Sequence, residues 1–336
     1  MIYDKSELPT REEKDFSKYD FQGFYIIYYK EIKGLFLLIL IILLFSFYKR
    51  DNKVKDSTIS LCMCVIAKEE NRYVREFVEF YKKMKVDKIF LYDNNDINGE
   101  RFEEVIQDYI NNGFVEVINY RGKISPQLKS YEDCYKKNME LYDWFIFFDV
   151  DEFIYLKDYT DIKTFLKEKR LRRCERVQFN WVIYTDNNLL YYDNRTVEER
   201  FTEKEPNARK YKNGDRQEVK SIVRGHIKNI NIHCIHVIDS SLYNCDGFGK
   251  KRFCDGIQAK SDYEYYYLRH YYSKSTEEFI EKIMKSDAFY GNINEESIIN
   301  KIIRYFIYNE ITKEKLDLIE NRTKLDLSSF RNKIKK

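Results

Sequence analysis

The sequence predicts an α/β domain built on a mostly parallel sheet flanked by helices, with an N-terminal membrane helix ahead of it. Three observations carry that prediction. From Thr58 onward, short apolar runs alternate with amphipathic segments in a β-α-β-α-β-α-β order, which implies right-handed crossovers and parallel strands. Three of the apolar runs end in polar clusters, at Lys68–Asn71, Asp93–Asp96 and Asp149–Glu152. In sheets of this kind ligands bind beyond the carboxyl ends of the strands. Finally, 336 residues with 43% hydrophobic and 34% charged content are enough for a sizeable globular core.

Residues 1–33 are polar and charged apart from a Tyr-rich patch at Phe24–Tyr29. Gly34–Tyr48 follows as an uncharged apolar run bounded by Lys33 and Lys49-Arg50. As a helix it reaches about 22 Å, short of a hydrocarbon core of roughly 30 Å. Snorkelling of Lys30, Glu31 and Lys33 would extend the buried length into Phe24–Tyr29. A core or interfacial helix is the other reading, but this run is apolar all round and has no polar face to show water. We read 34–48 as a single membrane anchor, 1–33 as a polar tail and 49–57 as a linker. Lys49, Arg50, Lys53 and Lys55 slightly outweigh Lys18, Lys30 and Lys33. That leans toward a cytoplasmic C-terminal part without deciding the side.

The main globular domain is expected over 58–292. Ile59–Ala67 reads as a strand, followed by a helix with Val74, Phe77, Val78, Tyr81 and Met84 at helical spacing. Lys88–Tyr92 is a second strand, Phe102–Ile110 a second helix stopped at Asn112-Gly113, and Phe114–Asn119 a third strand. Ser130–Leu141 is a third helix. The fourth strand is Asp143–Ile154, where Trp144–Phe148 runs straight into Asp149, Asp151 and Glu152. Residues 293–336 read as packing helices with a basic tail.

Carboxylates at the end of a buried strand are costly unless something neutralises them. Two Asp separated by one residue can share a hard cation, which then takes the oxygens of a diphosphate. A solvated acidic turn is the bland alternative. No Gly-x-Gly-x-x-Gly, P-loop or Gly-x-Ser-x-Gly is present, so phosphates have no glycine loop to hold them. A net charge of +3, from 59 basic and 56 acidic residues, gives no reason to invoke nucleic acid. The seven cysteines show no zinc spacing. Cys234, Cys245 and Cys254 are close enough in sequence for one bridge in an oxidising compartment, and a reduced compartment explains the pattern equally well.

The order of motifs from about Ser60 to Asn292 resembles glycosyltransferase family 92, close to the family 2-like enzymes of GT-A (Rossmann-like) fold. The resemblance rests on Val65–Glu70 with Glu76–Tyr81, on Val86–Asn95, and on Gln127, Tyr131 and Cys134 ahead of Asp143-Trp144 and Asp149–Phe153. It continues through Phe179–Trp181 with Asp186-Asn187, Glu199–Phe201, Lys220–Arg224, and His270–Ser275 with Glu277–Phe279 and Lys282. Glu69, Thr185 and Lys285-Ser286 depart from the family pattern.

The resemblance implies transfer of a sugar from a nucleotide-sugar donor, with Mn²⁺ or Mg²⁺, to a glycan or lipid-linked acceptor with inversion. The metal would sit on Asp149 and Asp151, with His270 as a third ligand because neutral imidazole suits Mn²⁺. Glu152 would orient neighbours or serve structure alone. Lys68, Glu70, Asp93, Asn94 and Gln127 fall in the donor-side clusters, Lys274 would meet the diphosphate, and Trp181 would stack on a sugar or pack in the core. Inversion needs a carboxylate base, for which Asp186 and Glu199 are the acceptor-side candidates. A haloacid-dehalogenase-type phosphatase would carry its Asp-x-Asp on the first strand, and here three strands precede it. A metal-dependent nucleotidyltransferase and an inactive, membrane-tethered glycan-binding module remain as rivals.

Overall fold

The expected alternation is present at the start of the described chain. Strand β1 (Leu61–Ala67), helix α1 (Asn71–Lys83), β2 (Lys88–Asp93), α2 (Glu103–Asn111), β3 (Val115–Asn119), α3 (Gln127–Asn138) and β4 (Trp144–Phe147) follow one another. The computed structural model describes residues 59–205, 217–228, 232–233, 236–237, 243–252, 257–258, 262–285 and 294–334. The apolar run at 34–48, Cys234 and Cys254 lie outside them. Among the described residues no helix is long and apolar enough to cross a membrane.

After β4 come β5 (Glu152–Leu156), α4 (Ile162–Leu166), β6 (Arg176–Ile183), α5 (Val197–Arg200) and β7 (Gln217–Arg224). The short strands β8 (Ile232–His233), β9 (His236–Val237), β10 (Asn244–Asp246) and β11 (Ile257–Gln258) precede β12 (Tyr266–His270). Helices α6 (Thr276–Met284), α7 (Glu295–Tyr308), α8 (Lys313–Thr323) and α9 (Ser328–Ile334) close the described chain. The large sheet runs β3-β2-β1-β4-β7-β6-β12-β5, with β10 beside β6 and β11 beside β7. Its first four strands are parallel, whereas β7 is antiparallel to both β4 and β6.

Two readings of local structure change. The third helix starts at Gln127, directly after Pro126, and ends at Asn138 rather than Leu141. Asp143–Ile154 is two strands, because the backbone turns between them. Glu152 N–H donates to Asp149 O at 3.0 Å, and Asp149 N–H donates to Glu152 Oε2 at 2.9 Å. The carboxylate run is itself the corner.

Helices cover both faces of the sheet. On one side Tyr73, Val74, Phe77, Val78 and Tyr81 of α1 pack with Phe148, Phe153 and Phe179. On the other, α3 brings Tyr131, Cys134 and Tyr135 against Cys62, Cys64, Phe145 and Phe147. Disulfides join Cys64 to Cys134 and Cys174 to Cys245, across Cα separations of 6.1 and 5.7 Å, both ordinary spans for such a bond. The second pairing replaces a bridge confined to Cys234, Cys245 and Cys254. Helices α6 to α9 share their own core of Phe279, Ile283, Ile302, Tyr305, Leu316 and Ile319, within the compact unit Ile59–Lys336.

One buried carboxylate ties α1, α5 and α6 together. Glu278, the third residue of α6, completes a capping box with Ser275. It takes both guanidinium nitrogens of Arg200 at 2.6 and 3.0 Å and the Tyr73 hydroxyl at 2.6 Å. Burial works to raise its pKa, but hydrogen bonds from Arg200, Ser275 and Tyr73 hold it at about 2 against an ordinary 4.5. A depressed carboxylate stabilises the fold above its unfolded pKa and loses that effect as pH falls through the folded one, here roughly 3 kcal/mol between pH 5 and 2. Denaturant titrations should therefore show stability falling across that window. Glu278→Gln should lose about 3 kcal/mol at pH 7, since buried Arg200 keeps only the Asp193 carboxylate at 3.9 Å and the Arg195 carbonyl, and should flatten the acid limb.

Candidate active site

Each strand that reaches the cleft brings its chemistry by register. Where β5 runs antiparallel to β12, Glu152 lies opposite His270, and the next ladder position is closed by Tyr271 N–H donating to Asp151 O at 3.0 Å. Parallel pairing of β12 with β6 sets His270 beside Ile183 and Leu268 beside Trp181. The His270 and Trp181 rings lie 4.3 Å apart. Beyond the ends of β1 and β4 these elements, with α6 and α7, enclose a cleft of about 740 Å³.

Lys68, Glu70, Gln127, Asp149, Asp151, Trp181 and His270 all line it, so seven of the sequence-derived site residues meet in one place. Lysines neutralise the carboxylates. The Lys282 ammonium is 2.6 Å from Asp151 Oδ2, and His270 Nε2 is 3.5 Å from the same oxygen. Lys220, fully buried, lies 2.6 Å from Asp149 and 3.4 Å from Glu152. Glu70 faces Lys285 at 2.9 Å and Lys274 at 3.7 Å. On the far side of Asp149, Gln127 donates to the Tyr131 hydroxyl, which donates to Asp149 Oδ1 at 3.2 Å.

The titration behaviour follows from burial set against these charges. For Asp151, burial raises the pKa, but Lys282 and His270 overcome it and hold the carboxyl well below the usual range. Burial depresses His270 against the pull of Asp151. Glu70 is lowered because Lys274 and Lys285 outweigh its burial. Glu152 is pushed up by burial, with Asp149 and Asp151 adding to the effect and Lys220 opposing it. Lys220 keeps its proton, since burial is outweighed by two carboxylates within 3.4 Å.

Asp151, Glu152 and His270 each offer a ligand atom within 4.8 Å of the others. Glu152 thus joins the group in which the sequence placed only Asp149, Asp151 and His270. Glu152 Oε1 and His270 Nδ1 are buried and lack a hydrogen-bond partner among the described residues. Two carboxylates and an imidazole nitrogen form a donor set that a divalent cation such as Mn²⁺ can take, the carboxylate oxygens being its preferred ligands.

The remaining candidates lie elsewhere. Asp93 is buried against Arg121 at 2.7 Å, and Asn94 donates to the carbonyls of Tyr120 and Lys123. Both shape the loop after β2 and neither lines the cleft. Lys274 sits behind Glu70 with its ammonium 3.4 Å above the Tyr73 ring. Glu199 is exposed and completes a capping box with Thr196 on α5. Asp186 is buried under the C-terminal helices, where it accepts from the Tyr305 hydroxyl and pairs with Lys315 at 2.7 Å. The carboxylates once assigned as bases are therefore engaged in capping and in docking helices.

Sequence reasoning gave no role to Lys220, Lys285 or Arg304. Lys220 carried a signal: a lysine among Val219, Ile222 and Val223 in a buried strand needs a carboxylate partner. Arg304 did not, because its helix reads as packing alone. It lines the cleft from α7, with its guanidinium 5.0 Å over the Tyr272 ring and 5.9 Å from that of Trp181.

The family model for glycosyltransferase family 92 matches residues 57–303. A glycosyltransferase family 92 protein of Oryza sativa subsp. japonica is 28% identical over 100 residues, covering 29% of this chain and 16% of that protein. One from Arabidopsis thaliana is 31% identical over 99 residues, 28% of this chain and 16% of that protein. The chain thus aligns with about a sixth of the length of these curated relatives. Among solved structures, S. aureus TarS 1–349 in complex with UDP-GlcNAc is 14% identical, with a TM-score of 0.36, covering 81% of this chain and 80% of that one.

If Asp186 anchors helices, Asp186→Asn should cost about 3–5 kcal/mol by leaving Lys315 buried and unpaired. Asp186→Asn combined with Lys315→Met should recover much of that loss in denaturant titrations. A general base would instead lose turnover at unchanged stability.

Proposed function

The chain belongs to glycosyltransferase family 92, and on that premise we propose that it moves a sugar from a nucleotide-sugar donor to a glycan or lipid-linked acceptor, on a GT-A-type frame and with inversion. The observation that carries the reading is the convergence of Asp149, Asp151 and His270 with Lys282, Lys285 and Arg304 in one cleft at the carboxyl ends of the parallel strands. Nucleoside diphosphates need opposing charge from several sides, and this wall supplies it.

Asp151, Glu152 and His270 would hold Mn²⁺ or Mg²⁺, with Asp149 beside them. Such a cation supplies charge opposite the departing diphosphate. The protein's own residues do the rest. Lys282 and Arg304 face the diphosphate from α6 and α7, a role assigned from sequence to Lys274. Gln127, Lys68 and Glu70 shape the donor end, and Trp181 presents its ring edge to the sugar, with its buried indole N–H lacking an acceptor among the described residues. Glu296, in the first turn of α7, is the cleft carboxylate without a cationic partner among the described residues. That makes it the base candidate in place of Asp186 and Glu199.

Disulfides persist in oxidising compartments and are rare in the cytosol. The Cys64–Cys134 and Cys174–Cys245 bonds therefore support a domain on the lumenal or extracellular side, tethered by the helix expected at 34–48. This reverses the orientation that the flanking lysines slightly favour.

Calorimetric titration with UDP should show binding that requires Mn²⁺, and Asp151→Ala should weaken it by at least about tenfold, the scale set by a lost charged contact. Unchanged binding in Asp151→Ala would remove the metal assignment. In a secretory host, the exposed sequons Asn194-Arg-Thr196 and Asn321-Arg-Thr323 should both be glycosylated. A disulfide-bonded protein with neither modified would contradict the lumenal placement.

A further inference from the structure

The four carboxylates at the base of the cleft, Glu70, Asp149, Asp151 and Glu152, are matched by four lysines: Lys220, Lys274, Lys282 and Lys285. Each of these acids thus has an ammonium partner before any ligand arrives. A divalent cation alone would add two positive charges next to ammonium groups already seated on the carboxylates. A diphosphate alone would face carboxylates. Only the two together leave the charge close to balance.

The lysines differ in their freedom to adapt. The side chain of Lys220 is wholly buried between Asp149 and Glu152. Lys274 is buried over the Tyr73 ring. Lys285 is held by Glu70 and by the carbonyls of Lys68 and Glu69. Among the described residues Lys282 has a single carboxylate partner, Asp151; its other contacts are a long 3.4 Å bond to the Tyr272 carbonyl and the Tyr272 ring at 4.7 Å, its side chain is 30% exposed, and it lines the open cleft. Its ammonium touches the oxygen that also faces His270. It therefore occupies the carboxylate oxygen that a cation shared by Asp151 and His270 would need.

We infer that Lys282 is an exchanging counter-ion: it neutralises Asp151 in the empty enzyme and transfers its charge to the diphosphate when metal and nucleotide enter together. The inference rests on the proposed donor site. It assigns to this one side chain the coupling between metal and donor binding. No bond is made or broken; the ammonium moves from a carboxylate oxygen to a phosphate oxygen, keeping its proton. The metal then binds weakly without nucleotide, and each ligand tightens the other by the same factor.

The test is the affinity of the full chain for Mn²⁺, read from the free-ion electron paramagnetic resonance signal, with and without saturating UDP. In the wild type, UDP should tighten Mn²⁺ by at least about tenfold, within the usual range of coupling between sites. Lys282→Gln should tighten Mn²⁺ alone by about tenfold and shrink the UDP effect to less than about threefold. Lys282→Arg, which keeps the charge, should behave like the wild type. If the wild type shows coupling and Lys282→Gln leaves both affinities unchanged, the inference falls while the donor-site reading stands. If the wild type shows no Mn²⁺-dependent UDP binding, both fall. The wild-type comparison also stands by itself should Lys282→Gln not fold, because binding of Mn²⁺ equally tight with and without UDP overturns the exchange.

Discussion

Carboxylates withdrawn from water must be neutralised in place, and that constraint shapes this molecule around the corner at Asp149–Glu152. Leaving any of these acids unpaired at such burial would cost several kcal/mol. The solution comes from distant parts of the chain. Lys220 arrives on an antiparallel strand inserted beside β4, Lys282 from the helix after β12, and His270 from the end of β12 itself. The sheet departs from simple parallel order where those partners have to be delivered.

The C-terminal helices belong to the same solution. Asp186 with Lys315 and Tyr305, and Asn309 with Ser273, pin them through buried polar contacts. Arg304 and Glu296 then face the cleft from α7. A buried ion pair contributes little net stability but fixes position, because breaking it is costly. Asp186 thus serves the site at a distance, by holding the helix that completes the cleft wall.

What was legible in the sequence was local. Strands and helices up to Phe147 follow from apolar periodicity, and the cleft from polar clusters at strand ends. The resemblance in motif order named the family. The split of Asp143–Ile154 was not legible, because the turn is closed by the Glu152 side chain and backbone, in a pattern that reads as one continuous strand. The partners of the base candidates were not legible for a related reason. An acid in a loop carries no mark of its partner, and Asp186 and Glu199 found Lys315 and a helix cap instead. Glu69 shows the same limit on a smaller scale. It holds a left-handed backbone (φ 55°) that asparagine adopts more readily, a constraint invisible without the turn after β1.

In the function proposed, the donor binds in the cleft between the β-strand ends and α7. Crystals soaked with Mn²⁺ and UDP test it most directly through the anomalous signal of the metal. The expected result is a peak bonded to Asp151 together with Glu152 or His270, and diphosphate oxygens within reach of Lys282 and Arg304. Nucleotide bound elsewhere, or a cleft that stays empty at saturating UDP and Mn²⁺, would contradict it.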